Sequence, residues 1–215
     1  MDLRWIEHVL VGDKSLVKAL NLRLGALKKV SIVASFKTRK TIANGIFMSK
    51  LIYLMPLWSG CEEYLVKCLQ VVQNKAARTV ARMNIFTPTK ALMKACGWMS
   101  VRQLLVYHSL VLLHKTMASK TPVYLYQKVS SGGDFAHRTR QAATCPPGFT
   151  FTVTHPTDNG SIRQGPGPKL DLSMQGWCLK SVDVYNTLPS DLKLERKLPS
   201  FKKRLKDWIG MNISI

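Results

Sequence analysis

IANGIFMSKLIYLMPLWSGCEEYLVKCLQVVQNKAARTVAR, residues 42–82, decides the fold. Two helices of different character meet in it. The first starts near Ser35 and carries Phe36, Ala43, Phe47, Leu51 and Leu54 on one face, with Lys37, Lys40, Thr41 and Asn44 on another. Beyond Ile46 it is apolar nearly all round, which predicts burial. Pro56 ends or kinks it, because proline lacks an amide donor and clashes with the preceding turn. After Gly60 the second helix sets Leu65, Leu69, Val72, Ala76, Val80 and Met83 on one stripe. Lys67, Asn74, Lys75, Arg78 and Arg82 lie opposite, within about a quarter to a third of a turn of one another.

Upstream, Leu16, Leu20, Leu24 and Leu27 recur at helical spacing and Lys28-Lys29 close the pattern. Residues 15–83 therefore read as a three-helix unit with short loops, a loop falling near Val30–Val33. Downstream, Thr87-Pro88 is a helix start and Gly97 a helix stop. Ser100 caps a helix from Val101 to about Ser119, whose interior LLVYHSLVLLH is apolar on nearly every face. Thr121-Pro122 starts a short helix through about Lys128. From Ser130-Ser131-Gly132-Gly133 to about Pro168 the chain is rich in turn residues. Within that stretch Phe149–Thr154 alternates like a strand, with Leu170–Met174 as its candidate partner. Residues 176–185 look helical and Asn186–Pro189 stops them. The last helix sets Leu198, Phe201, Leu205 and Trp208 on one face and Lys202, Lys203 and Lys206 off it. The expected fold is mainly α. Its divisions are a helical unit over 1–83, a second helical layer over 84–129, and an extension over 130–215 with a hairpin candidate and a terminal helix.

The 215 residues include 32 Lys+Arg against 12 Asp+Glu, a net charge of +20, and 46% are hydrophobic. That composition excludes a disordered tail and points to a polyanionic partner. Net charge is +9 over 1–83, +7 over 84–145 and +4 over 146–215, so an anion-binding surface is expected in the first two thirds. The five cysteines are scattered with no C-x-x-C pair, against a disulfide framework or zinc site. MDLRWIEHVLVGDK does not read as a signal peptide, since acidic residues interrupt its apolar run. The longest apolar stretches contain Lys50 or His108 and are too short to span a bilayer. A cytoplasmic or nuclear location is the expectation.

Several segments carry a family resemblance. Phe47–Val80 resembles the region downstream of the polymerase palm in reverse transcriptases of non-LTR (LINE-type) retrotransposons, where an apolar helix leads to a tryptophan and a helix with an LQ..QNKAAR-like core comes next. Thr87–Lys115 resembles the next segment of those proteins, with its Gly-Trp and Val-x-Gln before a long apolar helix. TPVYL, YNTLPSDLK and FKKRLKDWI resemble their Pro-x-Tyr-Leu, Asn-x-Leu-Pro and Phe-Lys-x-x-Leu-Lys motifs. The matches fall in the family's order over about residues 15–210. The resemblance implies a thumb-like helical region that grips a template–product duplex by its backbone, with a helical extension after it. RNA or an RNA/DNA duplex is then the partner, with the palm and fingers of the parent polymerase missing.

The departure concerns catalysis. Such polymerases need closely placed aspartates, usually adjacent, to hold two metal ions. The only adjacent acidic residues here are Glu62 and Glu63, at a helix start where they complement the dipole. Magnesium is therefore expected only for a full-length parent, and the fragment is expected to be inactive alone, with no catalytic residue and no metal or cofactor of its own.

Lys67, Lys75, Arg78 and Arg82 are the leading candidates for phosphate contact, with Lys37, Arg39 and Lys40 second. A solvated helix face is the plainer alternative for both groups. Lys202, Lys203, Arg204 and Lys206 read as the solvated face of a docked helix. His108 and His114 lack partners at ligand spacing and read as packing residues; Trp58, Trp98 and Trp208 read as core anchors. A module of another class, binding an acidic protein or an anionic membrane through the same basic faces, is the alternative function.

Overall fold

The structure is a computed structural model and describes residues 16–53, 55–58, 63–119, 121, 129–131, 151–153, 181, 184–195 and 197–213. It is mainly helical. The leucine ladder forms α1 (Leu16–Ser31), burying Leu16, Leu20, Leu24 and Leu27. A short turn leads to Ser35, whose hydroxyl accepts the Thr38 amide at 3.3 Å and caps α2 (Phe36–Ala43). The helix then widens into a π turn over Asn44–Met48, where the Ser49 amide reaches back to the Asn44 carbonyl and the Ser49 hydroxyl bonds the Gly45 carbonyl. Arg23 of α1 donates to the Ile46 carbonyl at 2.6 Å, tying the turn to the first helix. The neighbours Phe47 and Met48 both enter the core. After α3 (Ser49–Ile52) the α-helix stops. A 3₁₀ turn over Met55–Trp58 carries Pro56 and packs against the later helix at Val101–Ser119.

α4 (Glu63–Ala81) packs on α1 and α2 and buries Leu65, Leu69, Val72, Ala76 and Val80, the predicted stripe. Two expected core residues lie outside. Met83 is exposed because α4 ends at Ala81: Arg82 adopts φ 53° and the Met83 amide bonds the Arg78 carbonyl, a Schellman closure that carries Met83 off the stripe. Phe36 is exposed because it opens α2 beyond the end of the packed face.

α5 (Thr89–Cys96) begins one residue later than the sequence suggests. Pro88 is its N-cap rather than its first turn, and no side chain caps it. Gly97 ends it at φ 63° with two amide-to-carbonyl bonds, a left-handed conformation that favours glycine. A Cβ there would also meet Lys40 Nζ at 3.3 Å. Ser100 and Gln103 form a reciprocal capping box at the start of α6 (Val101–Ser119), at 3.3 and 3.1 Å.

Packing does not divide at residue 83. One core runs from Leu16 to Leu105 and takes in Leu92, Met93 and Cys96 of α5; a second runs from Tyr107 to Ile209. The division falls inside α6, because a helix apolar on nearly every side serves both cores.

A polar seam holds α4 to α5 and α6. Fully buried Gln73 donates to the Met99 carbonyl at 2.9 Å and accepts from Gln70 at 2.9 Å. Gln70 in turn accepts the Val101 amide at 2.8 Å, satisfying an otherwise orphaned donor at the head of α6. Asn74 donates to Thr89 at 2.8 Å. These three polar residues of the LQ..QN stretch thus join helices.

Around the second core, α7 (Ser190–Lys193) and α8 (Leu198–Asn212) close the chain. Phe201, Leu205 and Ile209 of α8 are fully buried against α6; Leu198 and Trp208 flank them, half-buried. The strand at Phe151–Val153 forms, but its antiparallel partner is Val129–Ser131, in register Val129↔Val153 and Ser131↔Phe151. The sequence places Ser130-Ser131 at the opening of a loop; an extended Val-Ser-Ser pairs there instead. The candidate strand over 170–174, the helices over 122–128 and 176–180, and Leu54 lie outside the described residues.

His114 lies flat on Phe201, ring centroids 3.8 Å apart, and its Nδ1 is 3.3 Å from the Tyr185 hydroxyl. Burial lowers its pKa, opposed by the backbone and carboxylate of Glu195. Burial also lowers the pKa of His108, helped by Lys202 and Lys206 of α8. Burial pushes the Tyr185 hydroxyl up to about 12, so it stays neutral. The folded state therefore prefers both imidazoles neutral, while the unfolded chain protonates them near the ordinary value of 6.5. Both states hold them neutral well above that value, so no stability is lost there. As pH falls through 6.5 toward the lowered folded values, the unfolded state gains protons first and stability drops. Thermal melts at about pH 7.5 and about pH 5.5 should show the loss, and His114→Phe should reduce it.

Candidate nucleic-acid interface

From Lys14 to Gly133 the chain holds only two acidic residues, Glu62 and Glu63. Most basic side chains there must find partners other than carboxylates. The arginines find backbone carbonyls. Arg39 is 5% exposed; its Nε donates to the Val80 carbonyl at 2.8 Å and its Nη1 to Ala34 at 2.7 Å. Arg82 Nη2 donates to the Ser31 and Ile32 carbonyls at 2.8 and 3.0 Å. Arg78 Nη2 donates to Thr87 at 3.3 Å, and its Nε is buried. Arg23 bonds Ile46 in the π turn, and Arg102 lies 3.7 Å from Glu63 at the surface.

These bonds obey an electrostatic pattern. Arg39 sits at the C-terminus of α4, Arg82 at that of α1, and Lys40 beside Gly97 at that of α5. A helix C-terminus presents unsatisfied carbonyls and a partial negative charge, so in a chain short of carboxylates it is the natural counter-ion. The planar, multi-donor guanidinium suits such fixed sites better than a lysine ammonium does. Arg82 holds a left-handed backbone that glycine would adopt more easily, and its two carbonyl bonds offset that cost.

Three of the expected contact residues are thus tied to the fold. Arg39 is withdrawn from the surface altogether. Arg78 is half-buried, and Arg82, though exposed, is anchored to α1. Lys40 is half-buried against α5. Lys67, Lys75 and Lys37 are exposed, as a contact surface requires. The structure adds Lys28, Lys29, Lys90 and Lys94, also exposed. None of these seven has a side-chain partner among the described residues.

Lys67 and Lys75 stand on one side of α4, about 12 Å apart along its axis and about 80° apart around it. The Asn74–Thr89 bond brings the head of α5 against α4, and α5 carries exposed Lys90 and Lys94 one helical turn apart. The i, i+4 spacing of Lys90 and Lys94 is legible in the sequence, but the docking of their helix on α4 depends on contacts such as that half-buried bond. The arrangement offers mobile ammonium groups to an extended anion. It offers no nucleophile or general base.

Compared with known proteins, the chain matches no family model, no curated protein and no solved structure.

Among the described residues no group of three or more His, Cys, Asp or Glu converges, so these residues do not fit a two-metal centre. Described Cys68 is exposed and Cys96 buried, both as free thiols; Cys61, Cys145 and Cys178 lie outside. Burial raises the Cys96 pKa despite Lys40 nearby, so it is kept as a thiol. Trp98 is half-buried and donates to Asn44 at 2.9 Å, joining α5 to the π turn. No described helix is long and apolar enough to cross a membrane.

Proposed function

We propose that the chain is the thumb-like and downstream helical part of an RNA-directed DNA polymerase of the non-LTR retrotransposon type. On this reading it binds duplex or structured RNA by the phosphate backbone and does not polymerise by itself. The observation that carries the binding is the division of labour among its cations. Arginines serve the fold, while seven lysines on the helices of the first core are exposed and have no side-chain partner among the described residues. Backbone charge of that kind gives affinity without sequence preference. The ordered motifs between residues 15 and 210 support a polymerase origin; the missing aspartate pair supports inactivity.

Replacing Lys67 and Lys75 together by glutamate tests the reading. RNA-duplex affinity at about 0.1 M salt should fall roughly ten- to a hundredfold, equally for unrelated sequences. The melting temperature should stay near that of the parent chain, because both side chains are solvated. Unchanged affinity in a folded double variant would place the contact elsewhere.

A further inference from the structure

One end of the first helical unit is apolar and uncovered. Ile32 and Val33, in the turn after α1, are 76% and 92% exposed; Ile85 and Phe86, in the turn after α4, are 70% and 89% exposed. The turns are adjacent, because Arg82 binds the Ser31 and Ile32 carbonyls and Arg39 joins Ala34 to Val80. Fixing both turns through buried or strained arginines holds four large apolar side chains at a single tip. Solvation alone does not account for such an arrangement. Exposed Lys28, Lys29 and Lys37 belong to the same helix ends, and the described segments 16–53 and 82–119 that form them hold no acidic residue.

We infer that this tip is a docking surface for an anionic lipid bilayer. The neighbouring cations Lys28, Lys29 and Lys37 oppose pairing with a second copy, which would bring like charges together. Three of the four tip side chains, Ile32, Val33 and Ile85, are aliphatic, and Phe86 alone is a smaller stacking platform than a surface of several aromatic rings offers. Two neighbouring turns at the ends of helices project outward, so they suit a deformable planar partner rather than a peptide that needs a groove. An apolar tip entering the headgroup–acyl boundary, with lysines above it on acidic headgroups, uses every one of these features. No described helix is long and apolar enough to cross a membrane. The four apolar side chains on which the inference turns are distinct from the lysines on which RNA binding rests, although Lys28, Lys29 and Lys37 serve both readings.

Vesicle co-sedimentation of the full chain tests it, using phosphatidylcholine with and without phosphatidylserine. Binding is expected only with the acidic lipid. The variant Ile85→Ser/Phe86→Ser should lose it by roughly tenfold or more. A second variant, Ile32→Ser/Val33→Ser, should behave alike, and RNA affinity should be unchanged in both. All four side chains are exposed, so circular-dichroism melts should match the parent. Vesicle binding indifferent to these substitutions would reduce it to simple charge adsorption and overturn the proposal. Absence of vesicle binding would do the same. Loss of RNA affinity in these variants would reassign the tip to nucleic acid, and concentration-dependent dimerisation abolished by them would reassign it to self-association.

Discussion

Replacing Phe201 by alanine should destabilise the chain by about 3–5 kcal/mol, the largest effect expected of any single substitution considered. Phe201 is fully buried and fills the space between α8 and α6. Its ring also supplies the face on which His114 lies at 3.8 Å. Truncation removes the transfer free energy of the ring and leaves a cavity that two helices must collapse to fill. It also opens a water path to His114 and so should weaken the acid-induced loss of stability. Phe201→Leu keeps most of the volume and should cost about 1–2 kcal/mol. Urea unfolding monitored by circular dichroism measures both. Amide exchange in α8 should quicken before exchange in α4, since the two helices belong to different cores. An alanine variant within about 1 kcal/mol of the parent would mean that α8 is not docked on α6 through this ring.

Arg39→Ala should cost roughly 2–4 kcal/mol. The substitution strands the Val80 and Ala34 carbonyls that the guanidinium satisfies, and it removes positive charge from the C-terminus of α4. Arg39→Lys should recover only part of the loss, because a single ammonium cannot reproduce two directed bonds from Nε and Nη1. Its sequence neighbour Lys37 is the internal control. Lys37→Ala should change stability by no more than about 0.5 kcal/mol, as for an exposed side chain. Equal and small effects at both positions would remove the distinction between structural arginines and free lysines.

That distinction also marks how far the sequence could be read. Periodicity placed α1, α4, α6 and α8 and most of their buried residues, because a stripe at 3.6-residue spacing has one physical solution when a core is available. It could not place Met83, whose exposure results from the left-handed turn at Arg82. Nor could it separate Arg39 from Lys37 and Lys40. All three are basic and close in sequence, and only the course of α4 behind α2 shows which one meets a carbonyl. Gln70, Gln73 and Asn74 read as polar residues beside a basic stripe. They proved to be the seam that joins α4 to α5 and α6, a role set by residues 15 to 31 positions away. The strand at Phe151–Val153 was legible from alternation, but its partner was not, because three-residue strands leave too short a pattern to specify register. At the candidate interface, total charge led to the expectation of a polyanion, whereas the choice among cations required knowing which of them the fold already uses.

The central claim is that exposed lysines on the helices of the first core, unpartnered among the described residues, bind nucleic acid by its backbone. Titrating a fluorescent RNA duplex with the chain by anisotropy, at about 50 mM and about 200 mM salt, tests it most directly. Simultaneous contacts by about four of the seven lysines predict a slope of log affinity against log salt near −3 to −4, hence an affinity loss of roughly 60- to 250-fold across that range. Unrelated duplex sequences should give the same slope. Binding that is tight but indifferent to salt, or no binding even at the lower salt, would contradict the account.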